Sequence, residues 1–316
     1  MTTEQTIPVI DMEDYRSSDA SRNQKFVKTL GDALVDLGFF AIENHGVDHE
    51  LIETCYKLNY ELFTLSDSTK KAYEDDNLKG QRGYTSFGKE HAKDSEAPDL
   101  KEFWHVGREL KSGHPLAGVY PKNVWPSEIP NFKEIFLNLY AQLDSLASNI
   151  LEASALYLDL PKNQFSKIAV NGNTILRMIH YPPISDDANP ASIRAAAHED
   201  INLITLLCES TASGLELLQR DGAWRPIHSL KGQIIGDAGD MLQNITNGYF
   251  KSTTHRVVNP DNSRDRRFSM PFFIHPEPEA DLSPLPKCVE LTGGKKNYDD
   301  ISAEEYLNKR LKEIGF

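Results

Sequence analysis

Ile7-Pro8-Val9-Ile10-Asp11 is a short apolar run and predicts a strand. From Ser21 to Leu37, the residues Phe26, Leu30, Ala33, Leu34 and Leu37 return at the spacing of one helix face, and Gly38 supplies the stop. Phe39-Phe40-Ala41-Ile42 then predicts a strand ending at Asn44-His45-Gly46. Asp48–Leu65 predicts a second helix, carried by Leu51, Tyr56, Leu58, Leu62 and Phe63. Residues 66–120 are polar, with little period and with aromatic islands at Tyr84, Phe87, Phe103 and Trp104. Asn131–Leu158 predicts a long amphipathic helix through Phe132, Ile135, Leu139, Leu143, Leu146, Ile150, Leu151 and Leu156.

After Pro161 the texture changes to short segments separated by turn signals. Strands are expected at Thr174–Tyr181, Ile201–Leu207, Leu215–Leu218, Trp224–Ile227, Gln233–Gly236, Tyr249–Val258 and Arg267–Ile274, with tight turns at Asp221-Gly222 and Asn247-Gly248. Ser302–Ile314 predicts a closing helix, with Ser302 as its cap and Glu305 three residues on. The pattern is a helical N-terminal half wrapped on an antiparallel β core, without internal repeats or low-complexity linkers.

Composition narrows the class. The 316 residues suffice for a sizeable core, and 39% hydrophobic with 26% charged residues is ordinary for a soluble globular chain. The net charge of −13 argues against a nucleic-acid or anionic-membrane surface. The longest basic cluster is Arg264–Arg267, interrupted by Asp265. The N-terminus lacks a signal-peptide pattern, no apolar run reaches transmembrane length, and Cys55, Cys208 and Cys288 form no framework. A cytoplasmic protein acting on a small molecule, as a monomer, is the expectation.

His198-Glu199-Asp200 places an imidazole and a carboxylate two residues apart, which on a strand is one face. Such a pair alone is weak among ten histidines and 47 acidic residues, and His275-Pro276-Glu277 is a decoy whose proline makes it a poor ligand pair. His255 can supply a third ligand from a neighbouring strand. Two histidines and one carboxylate on one face leave three coordination positions open, which suits Fe(II) oxygenases. Arg267-Phe268-Ser269 follows His255 by about one return strand, with Arg267 and Ser269 on a shared face. An arginine fork plus a hydroxyl is what the distal carboxylate of 2-oxoglutarate needs while its keto-acid end chelates iron.

Together these residues resemble the isopenicillin-N-synthase-like 2-oxoglutarate/Fe(II)-dependent dioxygenases. The resemblance spans nearly the whole chain: Ile7–Asp11 and Gly38–Gly46, then Arg177-Met178-Ile179-His180-Tyr181-Pro182-Pro183, then the His198 pair, Gly239–Val257 and Arg267–Ser269. It implies a mixed α and β fold with a double-stranded β-helix (jelly-roll) core and flanking N-terminal and C-terminal helices. It divides the chain into an N-terminal region, 1–120, and a second, 121–316. The second comprises the long helix, a catalytic core at about 172–276 and the C-terminal helix, all in one compact unit. It further implies Fe(II), 2-oxoglutarate and O2, release of succinate and CO2, and hydroxylation or desaturation of a small molecule. Tyr181 is implied as a further 2-oxoglutarate contact. Glu199 stands where the family often has Thr and is expected to point away from the metal. Ile179 stands where some members have a polar Asn. Substrate contacts are expected from Arg177, suited to an anionic group, and from Phe103, Trp104, Tyr84 and Phe273.

Three other readings stay open. Isopenicillin N synthase and the plant ethylene-forming oxidase share the triad and the Arg-x-Ser without using 2-oxoglutarate. A non-catalytic jelly-roll binding protein would keep the fold alone. A zinc hydrolase would need a general base and no clamp, and no HExxH is present.

Overall fold

The computed structural model describes residues 7–90, 98–184, 192–227, 232–259 and 265–313. Its strands in chain order are β1 Val9–Asp11, β2 Phe39–Glu43, β3 Gly83–Thr85, β4 Glu102–Gly107, β5 Ile175–Tyr181, β6 Ala195–His198, β7 Ile204–Cys208, β8 Leu215–Leu218, β9 Trp224–Pro226, β10 Ile234–Ala238, β11 His255–Val257 and β12 Arg267–Ile274. They form two sheets. One runs β1-β2-β10-β7-β12-β5-β4-β3, the other β6-β11-β8-β9. Among the described residues only the β1–β2 pair is parallel. The sheets face each other across a cavity, the arrangement of a jelly roll.

Alternation along the large sheet decides which side chains reach that cavity. On β5, Leu176 and Met178 are buried toward the helices, while Arg177, Ile179 and Tyr181 line the cavity. On β12, Phe268, Met270, Phe272 and Ile274 pack outward and Arg267, Ser269, Pro271 and Phe273 inward. The outward face is covered by helices Ala20–Asp36, His49–Thr64 and Phe132–Tyr157. Phe26, Leu30, Leu34, Leu139, Leu143 and Ile150 share one core with the sheet. Fully burying each such side chain contributes about 1.5–3 kcal/mol. Gly31 is required where two of these helices meet, since a Cβ there would lie 1.9 Å from the Tyr157 ring.

The helices begin at side-chain caps from Asp19 and Asp48. Gly38, at φ +74°, lets the chain leave the first of them in the left-handed conformation. Between β8 and β9 the Asp221-Gly222 hairpin turn is present, with the Gln219 N–H donating to the Ala223 carbonyl.

The structure departs from the expected strands at several places. Tyr249–Val258 is strand only at His255–Val257. Asn247-Gly248 ends a short helix, Asp240–Ile245, rather than closing a hairpin, and the chain beyond it pairs with helix ends. There the Lys251 N–H donates to the Leu34 carbonyl and Thr253 Oγ1 to the Leu37 carbonyl. Ile201–Leu207 becomes strand only from Ile204, and β3 and β4 lie in the stretch that showed little period. The closing helix is Ala303–Glu313, with Ile314 outside the described residues, as are Pro260 and Arg264. Its capping box is formed: the Glu305 N–H donates to Ser302 Oγ and the Ser302 N–H to Glu305 Oε2. No helix among the described residues is long and apolar enough to cross a membrane.

Candidate metal and co-substrate site

Antiparallel pairing of β6 with β11 sets His198 directly opposite His255, and their rings stand 4.4 Å apart. Asp200 lies two residues past the first histidine, beyond the end of β6, with its Oδ1 3.7 Å from each Nε2. Among the described residues these three form the one cluster whose ligand atoms fit a single ion, all within 4.8 Å of one another. Two donors each about 2.1 Å from a shared ion sit roughly 3–4 Å apart, and the 3.7 Å from Asp200 to each imidazole falls in that range.

The remaining hydrogen bonds prepare the same atoms. His198 Nδ1 donates to the Ala196 carbonyl at 2.7 Å and His255 Nδ1 to the Thr253 carbonyl at 3.1 Å, which leaves both Nε2 lone pairs bare. Burial and the neighbouring His255 press His198 down to about 4, so it stays neutral at pH 7. Asp200 Oδ2 receives the Thr205 hydroxyl, and Thr205 in turn receives Asn202 Nδ2 at 2.8 Å. Asp237 lies across β10 from Thr205. Burial first, and then Asp200, hold its carboxyl far above the ordinary range, so it is protonated.

Arg267 and Tyr181 face each other across β12 and β5, next to Ser269 and Ile179. Arg267 is 1% exposed. Its Nε donates to the Ala212 carbonyl at 3.1 Å, one terminal nitrogen to Ser269 Oγ at 3.2 Å, and the guanidinium lies 5.0 Å from the centre of the Tyr181 ring. His198, Asp200, His255, Tyr181, Arg267 and Ser269 all line one cavity of about 70 Å³. A larger one of about 370 Å³ adjoins it, with His198, Asp200, Lys101, Arg177 and Phe273 lining both.

The larger cavity separates the expected substrate contacts. Arg177, Phe103 and Phe273 line it. Trp104 and Tyr84 do not: they pair across β4 and β3 and belong to the helix-facing core, because Trp104 is one position out of phase with Phe103. Phe87 is 49% exposed and lines neither cavity. Arg177 already has an acidic partner, Glu90, at 3.1 Å. Glu199 does not simply point away, since residues 199 and 200 are past the strand: its carboxylate accepts from the Thr254 hydroxyl and lines the larger cavity. Sequence reasoning missed Glu90, Lys101, His275, Leu307, Arg310 and Leu311 as lining residues. For Lys101 a signal existed, since it shares strand parity with Phe103 and His105. For Leu307, Arg310 and Leu311 the sequence shows a helix face but not what it covers.

Comparison with known proteins agrees with this geometry. Residues 172–276 match the family model of the 2OG-Fe(II) oxygenase superfamily, and residues 7–128 that of the non-haem dioxygenase N-terminal region. A 2-oxoglutarate-Fe(II) type oxidoreductase of Aspergillus fumigatus is 30% identical over 88% of this chain and 85% of its own. A crystal structure of a 2OG-Fe(II) oxygenase family protein from Caulobacter crescentus is 38% identical, with a TM-score of 0.87, covering 98% of this chain and 99% of that one. A full-length Neurospora crassa protein, solved in complex with 2-oxoglutarate and thymine, is 26% identical with a TM-score of 0.86, covering 99% of this chain and 98% of that one. The chain belongs to the 2-oxoglutarate/Fe(II) oxygenase superfamily, whose members use Fe(II), 2-oxoglutarate and O2.

Proposed function

We propose that this oxygenase holds its iron with His198, Asp200 and His255, holds 2-oxoglutarate with Arg267, Ser269 and Tyr181, and oxidises a small molecule seated in the adjoining cavity. The observation that carries the assignment is the joint geometry: three bare ligand atoms within 4.8 Å, and a buried guanidinium with its serine in the same cavity. When bound, the metal supplies O2 activation coupled to decarboxylation of the co-substrate to succinate and CO2. The chain itself positions and shields. Arg267 and Ser269 fix the distal carboxylate, the carbonyls of Ala196 and Thr253 orient the histidines, and the apolar walls exclude water.

Hydroxylation or desaturation of an unactivated C–H bond is the proposed outcome. Relatives named for 2-oxoglutarate or solved with it bound favour 2-oxoglutarate over an oxidase that dispenses with it, since the Arg267 and Ser269 pair is common to both. The test is anaerobic addition of Fe(II) and then 2-oxoglutarate to the metal-free protein, reading the visible charge-transfer band of the chelate. The band should form in the natural protein. In Arg267→Ala, iron should still bind while the 2-oxoglutarate concentration needed rises about tenfold or more, from loss of a charge-assisted hydrogen bond of ~1.5–3 kcal/mol. An unchanged requirement would remove the clamp from the assignment. Iron binding without a band would favour the oxidase reading.

A further inference from the structure

Between the two cavities stands a charged group that none of the roles above uses. Lys101 is buried, its side chain 6% exposed. Its ammonium lies 2.6 Å from Glu90 Oε1 and 2.7 Å from Asp99 Oδ2. The same Glu90 oxygen accepts from a terminal nitrogen of Arg177 at 3.1 Å. Arg177 Nε donates to His105 Nε2 at 2.6 Å, and its guanidinium packs 4.3 Å from the Phe103 ring centre and 5.2 Å from that of Phe273. The other oxygen of Asp99 receives the Ala196 N–H at 2.9 Å, tying the cluster to β6.

Two consequences follow. Each cation is already matched by a protein carboxylate at contact distance. Among the described residues each also keeps N–H groups to spare: an ammonium has three and a guanidinium five, and the partners of Lys101 and of Arg177 there take two from each. Arg310 is matched by Asp240 and Glu313, and Asp200 faces the proposed metal; of the other charged residues around the larger cavity, Lys79, Lys101 and Arg177 equal Glu90, Asp99 and Glu199 in number. His105 and His275 add no charge, because burial holds both below the ordinary histidine range. An entering carboxylate would lie beside Glu90 and Asp99 with no unmatched buried cation among the described residues to receive it. Among the described residues an entering amine would find Glu199, whose carboxylate already holds the Thr254 hydroxyl. A neutral carbonyl oxygen satisfies the spare N–H groups and brings no opposing charge.

We propose that the substrate is an uncharged molecule presenting an amide, lactam or imide oxygen to Lys101 and Arg177, with its apolar part against Ile175, Phe273, Leu307 and Leu311. This rests on the oxygenase reading above. It replaces the anionic group that Arg177 alone suggests, because Glu90 neutralises that arginine.

The test uses the full chain loaded anaerobically with Fe(II) and 2-oxoglutarate, with the change in the charge-transfer band reporting occupancy of the neighbouring cavity. Two matched sets serve as probes: benzamide, benzoate and benzylamine, and thymine, 5-carboxyuracil and 5-(aminomethyl)uracil. In at least one set the uncharged member should bind about tenfold more tightly than either charged member. Glu90→Gln, which unmasks one positive charge, should shift the neutral-to-carboxylate ratio about tenfold toward the carboxylate. Asp99→Asn should shift it the same way, and serves where the first variant fails to fold. A formed band with a charged member binding best, a formed band that no member perturbs, or a ratio unmoved by these variants would each overturn the inference. Absence of the band in the natural protein is a separate result: it overturns the oxygenase reading, and this inference with it.

Discussion

Asp200 carries more of the site than its two-residue distance from His198 suggests. It sits past the strand, so alternation does not orient it. Its direction comes from the Thr205 hydroxyl on Oδ2 and from its own carbonyl, which accepts the Asp240 N–H at 2.8 Å. Thr205→Val removes the hydroxyl at nearly constant volume, and loss of such a supporting partner costs about 10–100-fold in metal affinity. Fe(II) titration should show that weakening with the fold intact, whereas unchanged affinity would mean the backbone alone fixes Asp200. The order His198, Asp200, His255, Arg267, Ser269 stood out in the sequence because metal ligation and a carboxylate fork would demand particular residue types at strand spacings, and all five side chains line one cavity. Thr205, Asn202 and Asp237 did not, since hydroxyls, amides and acids are common, and it is the β7–β10 register that sets Asp237 beside Thr205 while Asn202 reaches the Thr205 hydroxyl from just before β7.

At the scale of elements, the difference between Phe103 and Trp104 is one of phase. A polar segment such as 98–107 shows no hydrophobic alternation when its inward positions are Lys101, Phe103 and His105 and its outward ones include Glu102. The period of two is there, but both faces mix polar and apolar residues. Long helices read well because their buried stripes are nearly all apolar, as in Phe132–Tyr157, where buried Ser154 turns its hydroxyl back to the Ile150 carbonyl. The Ala303–Glu313 helix read equally well, capping box included, yet nothing in its own residues told that Leu307, Arg310 and Leu311 would wall the cavity. Arg310 pairs with Asp240 at 3.1 Å, joining this helix to the segment that holds Asp200. Ser302→Ala should cost about 1 kcal/mol of stability through loss of the cap. The same change should lower affinity for any molecule in the larger cavity more than for 2-oxoglutarate. Equal weakening of both would mean the helix does not act as that wall.

For the molecule as a whole, the fold class was readable from helices followed by short strands, while the sheet order was not, because distant segments become neighbours only through closure of the barrel. The region beneath the helices depends on one buried ionic cluster. Lys70 Nζ lies 2.8 Å from Glu102 Oε2, which also receives the Tyr84 hydroxyl, and His180 Nδ1 lies 2.8 Å from Glu102 Oε1. Glu102→Ala leaves buried Lys70 with the exposed Asp67 carboxylate, 3.2 Å away, as its acidic partner among the described residues, and should destabilise by about 3 kcal/mol in a denaturant titration; a loss near zero would show that Asp67 and water suffice. Burial also holds His45, His105, His180 and His275 below the ordinary 6.5, His275 at about 4. The unfolded chain takes up those protons as pH falls through 6.5 and the folded one does not. Stability present at pH 7 is therefore lost progressively down to about pH 4. Thermal midpoints measured from pH 7.5 to 5 should fall, and a flat profile would contradict the neutral assignment. The place of β2 in the large sheet, between β1 and β10, bears on synthesis. As the chain leaves the ribosome at roughly 5–20 residues per second, Phe39–Glu43 waits about 10–40 s for Ile234–Ala238 to emerge. During that interval the apolar strand has a bare edge, so nascent chains of this protein need chaperone cover there, and slowing translation after residue 43 should increase aggregation rather than relieve it.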